Sequence, residues 1–180
     1  FIGKEAFSGC AKLDAFTLPA AVTNIGADAF AGCDDLILTV WPETLGEGYA
    51  QANGIVFDYP ESVYTPENVF EYSIDYTVGD GEATVTGYVG QDTKVYIPPT
   101  LDGVKVTGIG KNAFARNAAI EYVSIPHGVT HIGIDAFSNT SLKKMYLPAT
   151  VQTMEQRAFY RCQNLTSINI PDGITQLSED

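Results

Sequence analysis

The stretch Ile132-Gly133-Ile134-Asp135-Ala136-Phe137 decides the fold, because the same pattern recurs along the chain. Aligning each Ile-Gly pair with the Ala-Phe pair that follows it gives five copies. They begin at Ile2, Ile25, Ile109, Ile132 and, in degenerate form, Met154. Neighbouring copies are 23, 23 and 22 residues apart. A fixed period of this length is typical of a solenoid, in which one coil cannot bury its apolar face alone and must stack on its neighbours.

Most copies also end in a short alternating run that is closed by proline. These runs are Phe16-Thr17-Leu18-Pro19, Val123-Ser124-Ile125-Pro126, Met145-Tyr146-Leu147-Pro148 and Ile168-Asn169-Ile170-Pro171. Alternation over so few residues predicts a short strand with one buried face. Proline has no amide proton to donate and so ends the strand. We expect the Ala-Phe segment on the opposite side of the coil as a short helical turn, capped by the residue before Ala where that residue is Asp or Asn.

The repeat unit resembles the BspA-like leucine-rich repeats of bacterial surface proteins, which read approximately Ile-Gly-x-x-Ala-Phe-x-x-Cys-x-x-Leu-x-x-Ile-x-Ile-Pro. The match covers roughly residues 1–45 and 107–180, with Asn117 and Thr140 standing where the unit has Cys. The resemblance implies an α/β repeat solenoid of leucine-rich-repeat type, with short parallel strands on one face and short helical turns on the other. It also implies a recognition surface, and export to the cell surface or the extracellular space.

The segment between the two arrays breaks the repeat. Tyr49–Ala52 reads as a short helix stopped by Asn53-Gly54, and Ile55–Phe57 as a strand, which together resemble an element that closes an array. Strict alternation over Tyr72–Val78, a glycine-rich turn and the answering run Ala83–Tyr88 predict a β-hairpin insertion. The sequence therefore predicts three segments. They are a first array with its closing element at 1–59, a linker and hairpin cap at 60–106, and a second array at 107–180.

Composition indicates a folded, acidic protein. Its 180 residues are 45% hydrophobic and carry a net charge of −12. Nucleic acid and anionic lipid are disfavoured as partners, because phosphate binding rests on clustered Lys and Arg. The sequence contains no apolar run of 18 residues, so we expect no membrane insertion within this fragment. The chain opens and stops inside a repeat, which predicts that it is part of a longer protein.

The cysteines and histidines are expected to serve the scaffold. Cys10, Cys33 and Cys162 each lie three residues after a repeat Phe, which predicts reduced thiols in equivalent buried slots. A Cys10–Cys33 disulfide is the alternative, because stacked coils lie within bridging distance. His127 and His131 are four residues apart but occupy variable repeat positions in extended chain. We expect no metal, no cofactor and no enzymatic activity, since no nucleophile, phosphate-loop or zinc-hydrolase motif is present.

The outward strand positions of the second array are the candidate binding residues. Stacking aligns them in a ladder of tyrosine, lysine and small polar side chains: Tyr122, Ser124, Lys144, Tyr146, Ser167 and Asn169. Tyrosine among small polar neighbours is typical of contact surfaces, although strands favour tyrosine in any case. The leading hypothesis is therefore a module that binds a host or neighbouring-cell protein or glycan. A passive spacer in a larger surface protein is the alternative.

Overall fold

The computed structural model describes residues 1–75 and 77–174, together with the backbone of 176–177. The chain forms two compact units, Phe1–Val63 and Tyr64–Asp180. Each unit is a stack of short parallel strands joined by turns, as a β-solenoid requires. The finer division of the chain at residues 59 and 106 stays a prediction.

The first unit holds a three-stranded parallel sheet and one α-helix. Its elements are β1 (Ala15–Thr17), β2 (Ile37–Thr39), α1 (Leu45–Asn53) and β3 (Val56–Asp58). The strands pair in the order β1-β2-β3. Helix α1 begins after Thr44, whose side chain accepts from the Glu47 amide, and ends at Gly54, which has a left-handed φ of 65°. Glycine suits that position because it adopts this conformation without steric cost. The closing helix and strand are therefore confirmed, and the helix is longer than the sequence suggested.

The second unit holds eleven short strands among its described residues. They are β4 (Phe70–Asp75), β5 (Glu82–Tyr88), β6 (Lys94–Tyr96), β7 (Thr100–Leu101), β8 (Val104–Ile109), β9 (Tyr122–Ser124), β10 (His131–Ile132), β11 (Lys144–Met145), β12 (Thr153–Met154), β13 (Ser167–Ile168) and β14 (Gln176–Leu177). One sheet has the order β14-β12-β10-β8-β5-β4, with β7 beside β8. Two further pairs, β6-β9 and β11-β13, form the other side of each coil. Short 3₁₀ turns at Glu61–Val63 and Glu67–Val69 precede these strands.

The predicted hairpin is confirmed. Strands β4 and β5 pair antiparallel, with Ser73 opposite Thr84. Strand β5 then pairs parallel with β8, the first strand of the repeat stack. The hairpin therefore continues the sheet at the edge where the second array begins. The predicted first strand extended to Val78, whereas β4 ends at Asp75; Tyr76, also expected in that strand, lies outside the described residues.

A column of stacked phenylalanine rings fills the core of each unit. Phe7 and Phe30 stack at 5.1 Å between ring centroids. Phe114, Phe137 and Phe159 stack in turn at 5.1 and 5.2 Å, within 7° of parallel. Phe30, Phe114 and Phe137 are buried, whereas Phe7 and Phe159 are half-buried at the ends of their columns. The repeat Phe therefore packs on its equivalent in the next coil, as expected.

The Ala-Phe segments are not helical turns, and that part of the predicted α/β description is wrong. Among the described residues α1 is the one α-helix. Along an Ala-Phe segment, successive backbone amides donate in turn to a carbonyl of the next coil and to a carbonyl of the same coil. The Phe114 amide reaches the Ala136 carbonyl at 2.8 Å, whereas the Ala115 amide reaches Asn112 at 3.0 Å. An α-helix needs every amide to donate to the carbonyl four residues earlier, so donors shared with a neighbouring coil cannot build one.

Left-handed backbone at two positions in each Ala-Phe segment explains how its amides alternate between the two kinds of acceptor. The residue before Ala has φ between 55° and 60° in all five copies: Glu5, Asp28, Asn112, Asp135 and Arg157. A second left-handed residue follows the Phe by two positions: Gly9, Gly32, Arg116, Asn139 and Arg161. A right-handed helix requires negative φ throughout. Asp28, Asn112 and Asp135 are therefore turn residues that tolerate this conformation, and the expected helix-capping role is wrong.

The burial of the three cysteines agrees only partly with the expectation. All three cysteines are free, so Cys10 and Cys33 are not bridged. Cys33 is buried and its thiol donates to the Phe7 carbonyl at 3.2 Å, and Cys162 makes the same contact to Phe137 at 3.1 Å. Cys10 is exposed and Cys162 is half-buried, so the expected burial is confirmed for Cys33 alone among the three.

Candidate functional site

Four strands of the second unit place the candidate residues side by side. Strand β6 pairs with β9 and β11 with β13, which sets Lys94 beside Tyr122 and Lys144 beside Ser167. Strands β9 and β11 are also neighbours, because the Lys143 amide donates to the Glu121 carbonyl at 3.0 Å. The outward side chains of these strands and of the residues just after them form the strand face. It comprises Lys94, Tyr96, Tyr122, Ser124, Lys144, Tyr146, Ser167 and Asn169.

Strand alternation turns these side chains outward. Val95, Val123 and Met145, at the intervening positions, are buried in the core. The strand face therefore has two columns across the stack. One contains Lys94, Tyr122, Lys144 and Ser167, and the other contains Tyr96, Ser124, Tyr146 and Asn169. Lys94, Lys144 and Ser167 are exposed, whereas the other five residues are half-buried.

An aromatic pair lies at one end of the strand face. The rings of Tyr96 and Tyr122 are tilted by 50° and their centroids are 5.6 Å apart. Offset or tilted rings at this distance attract each other beyond the area that they bury. Lys94 and Lys144 occupy the same column as Tyr122, one on each neighbouring strand. The geometry thus combines two phenol rings with two ammonium groups.

Lys94 and Tyr96 were missed as binding residues in the sequence. They fall in the segment that the repeat pattern assigned to the linker and cap. The signal was present, because Val95-Tyr96-Ile97-Pro98 has the same strand-and-proline ending as the repeats. Strand β6 occupies the place of a repeat strand, so it extends the strand face by one coil.

The second column is more closely tied to the scaffold. Asn169 accepts from the Leu147 amide at 2.7 Å and donates to the Leu147 carbonyl at 2.8 Å. The Asn169 side chain therefore makes the two hydrogen bonds to the Leu147 backbone that a neighbouring strand would otherwise make. Burial raises the pKa of the Tyr146 hydroxyl above its usual value. That hydroxyl stays neutral at physiological pH and can both donate and accept a hydrogen bond.

A charged pair borders the strand face. The Lys143 ammonium lies 2.6 Å from the Glu121 carboxylate, and both side chains are largely exposed. Such a pair contributes little to stability. The pair lies beside the strand face, whose own basic residues are Lys94 and Lys144.

The repeats match the protein-family model for the BspA type leucine-rich repeat region, with six copies over residues 1–52 and 97–180. This match covers more than half of the chain. The chain belongs to the BspA-type leucine-rich repeat family. In this BspA-type protein the strand face lies on one of the two strand-bearing sides of the coils.

This BspA-type chain is similar to solved bacterial leucine-rich repeat proteins, one of which shares its fold. The leucine-rich repeat protein of T. pallidum is 28% identical, with a TM-score of 0.58 over 62% of this chain and 51% of that one. A leucine-rich repeat protein of Bacteroides ovatus and a leucine-rich cell surface protein of Faecalibacterium prausnitzii are each 22% identical over 96% of this chain. Their TM-scores are 0.45 and 0.44, and 42% and 45% of their lengths are covered. The chain thus spans about half the length of these proteins. No curated protein is significantly similar to it.

The two histidines of this BspA-type chain lie at its surface. His127 is exposed in a turn, and His131 is half-exposed on β10. His131 Nδ1 lies 2.8 Å from the Thr153 hydroxyl, and its Nε2 lies 3.8 Å from the Glu155 carboxylate. Across residues 1–75 and 77–174, no three His, Cys, Asp or Glu side chains converge as metal ligands would. In the same residues no helix is long and apolar enough to cross a membrane.

Proposed function

We propose that this chain is a recognition module of the bacterial cell surface or the extracellular space, and that it binds a host or neighbouring-cell protein or glycan through the strand face. The observation that supports this most directly is the Tyr96–Tyr122 ring pair with Lys94 and Lys144 on the strands beside it. Membership of the BspA-type family supports the location.

The chemistry of the strand face suits contact with another macromolecule. A tyrosine ring offers a large apolar area with few torsions to freeze, and its hydroxyl supplies a hydrogen bond. Its flat side can stack on a sugar ring or on an apolar side chain. Lys94 and Lys144 can pair with carboxylate or sulfate groups that an acidic protein or glycan carries.

The distribution of charge supports a contact at the strand face. The whole chain carries a net charge of −12, yet residues 107–180 hold six acidic and six basic residues. The strand face therefore offers cations on a protein that otherwise repels acidic partners. Electrostatic attraction of this kind raises the association rate and selects the docking orientation more than it raises affinity.

The test is a binding screen followed by substitutions. The whole chain is screened against immobilised glycans and extracellular-matrix proteins, and each binder is measured by biolayer interferometry. The double variant Tyr122→Ala/Lys144→Gln removes one ring and one cation from the strand face. We expect its Kd to rise at least about tenfold, which corresponds to the loss of a central contact.

Matched controls come from the same unit. Tyr160 is 47% exposed beside Arg161 on the turn side of the coil, and Lys105 is exposed on β8. The double variant Tyr160→Ala/Lys105→Gln makes the same chemical changes away from the strand face and should bind like the wild type. Equal Kd values for the two double variants would refute the site. A chain that binds nothing in the screen would favour the spacer function.

A further inference from the structure

A groove in the first unit marks the point where its repeat stack ends. Its volume is about 400 Å³, and it is lined by residues of the second coil and of the closing element, among them Asp28, Gly32, Asp34, Tyr49 and Asn53. Asp28, Gly32, Asp34 and Asn53 are exposed, so the groove is open. We call this surface the closing groove.

Repeat geometry fixes what the second coil presents to the closing groove. In the first coil the amides of Glu5, Phe7 and Gly9 donate to the carbonyls of the second coil at 3.0, 2.8 and 2.7 Å. The same three repeat positions in the fourth copy, Asp135, Phe137 and Asn139, donate onward in the same way. The equivalent amides of the second coil belong to Asp28, Phe30 and Gly32. They therefore point away from the first coil, towards the closing element.

The closing element does not supply the missing carbonyls. Strand β3 continues the sheet beside β2, but α1 stands where the next Ala-Phe segment would lie. The Ala50 carbonyl of α1 accepts from the amides of Gly54 and Ile55, which follow the helix directly, and so is not available to the second coil. Within the described chain the amides of Asp28 and Gly32 have no backbone acceptor. The Phe30 amide faces the Tyr49 hydroxyl, whose ring packs on Phe30 at 6.1 Å.

Charge decides which acceptor fits these amides. The carboxylates of Asp28 and Asp34 line the closing groove, and the C-terminal end of α1, at Asn53 and Gly54, adds negative partial charge. Residues 1–59 hold eight acidic and two basic residues. An anion is therefore repelled. A neutral carbonyl can accept from the amides, and a cation can pair with the carboxylates.

We propose that the closing groove binds a lysine- or arginine-bearing peptide segment. Backbone carbonyls at alternate residues of the segment accept from the amides of Asp28 and Gly32, as the carbonyls of a following coil would. Its basic side chains pair with the carboxylates of Asp28 and Asp34. This site lies in the first unit, so it is separate from the strand face and does not depend on the proposed function.

The test uses a short basic peptide and the whole chain labelled with nitrogen-15. Titration with acetyl-Lys-Ala-Lys-Ala-Lys-amide is followed by amide chemical shifts, and the same titration is made with acetyl-Glu-Ala-Glu-Ala-Glu-amide and with spermidine. We expect downfield shifts of the Asp28 and Gly32 amides with the basic peptide, because a new hydrogen bond deshields the proton. The acidic peptide should leave them unmoved. Spermidine carries charge but no carbonyls, so it should not reproduce the downfield shifts.

Two neutralising substitutions test whether the peptide is bound by the carboxylates of the closing groove and not by the overall negative charge of the chain. Asp28→Asn/Asp34→Asn keeps the side-chain size, and Asn tolerates the left-handed conformation at position 28. It should raise the Kd for the basic peptide about tenfold. Asp35 is adjacent, exposed and outside the lining of the closing groove, so Asp35→Asn should leave the Kd unchanged.

The proposal is overturned if the basic peptide moves neither amide, or if its shifts map to another surface. It is also overturned if spermidine gives the same downfield shifts, or if Asp35→Asn weakens binding as much as the double variant.

Discussion

Replacing Gly133 by Ala tests whether adjacent coils approach as closely as the structure requires. A Cβ at this position would lie 2.8 Å from the Lys111 amide nitrogen, and the nearby atoms are all backbone. Ordinary contacts begin near 3.4 Å, so one coil must shift by about 0.6 Å. The backbone that shifts carries the hydrogen bond from the Gly133 amide to the Ile109 carbonyl, at 2.7 Å. Overpacking of this kind costs about 1–3 kcal/mol. Weakening that bond adds about 1 kcal/mol.

Alanine also reduces the conformational freedom of the unfolded chain relative to glycine, which stabilises the folded state by about 0.4–1 kcal/mol. We therefore expect Gly133→Ala to lower the free energy of unfolding by about 2 kcal/mol. Urea unfolding followed by circular dichroism measures it as a midpoint lower by about 1 M. Gly3 occupies the same repeat position, but a Cβ there would have no neighbouring atom within 4 Å, so Gly3→Ala should not lower the midpoint. Equal midpoints for the two variants would refute the close approach of the coils.

Three further outcomes follow from the packing, the thiols and the half-buried Tyr88. Phe137→Ala should cost about 3–5 kcal/mol in urea unfolding, because a fully buried ring leaves a cavity between two stacked neighbours; a cost below that of Phe159→Ala would contradict this. Ellman's reagent should label Cys10 rapidly and Cys33 slowly in the native chain, and rapid labelling of both would show that the slot is open. Burial, and then its hydrogen bond to Asp92, raise the pKa of Tyr88 from 10.0 to about 12. The neutral hydroxyl is the form that the native state favours, so its contribution to stability is complete below pH 10 and is lost as the pH rises towards 12. Ultraviolet titration of the wild type should show a late tyrosine step that Tyr88→Phe removes.

The strand positions and the phenylalanine column were predictable because both depend on the period alone. Once Phe114 and Phe137 occupy equivalent positions of stacked coils, no other arrangement buries both rings. The outward direction of Tyr122 and Lys144 follows in the same way from alternation with Val123 and Met145. The closing helix was also predictable, because Gly54 marks where it stops.

The conformation of the Ala-Phe segments was not predictable from residue preferences. Asp28 and Asp135 suit a helix N-terminus and a left-handed turn about equally well. The choice is made by a stacked neighbouring coil, which shares every second backbone hydrogen bond of the segment either as donor or as acceptor. That information lies about 23 residues away in the sequence, and no local pattern carries it.

The extension of the strand face was missed for a related reason. It depends on which strand lies next to which, at a position where the repeat is interrupted. Strand β6 takes the place of a repeat strand although its segment lacks the Ile-Gly and Ala-Phe pairs. The closing groove is likewise a property of the place where a stack stops.

Native-state hydrogen exchange at equivalent repeat positions tests the alternating amide ladder most directly. The Arg116 amide donates to the Ser138 carbonyl of the next coil at 2.8 Å, whereas the Gly32 amide has no backbone acceptor within the described residues. After correction for intrinsic rates, we expect Arg116 to exchange at least about a hundredfold more slowly than Gly32. Similar protection at the two positions, or an unprotected Arg116, would contradict both the way in which the coils stack and the open donors where the first stack ends.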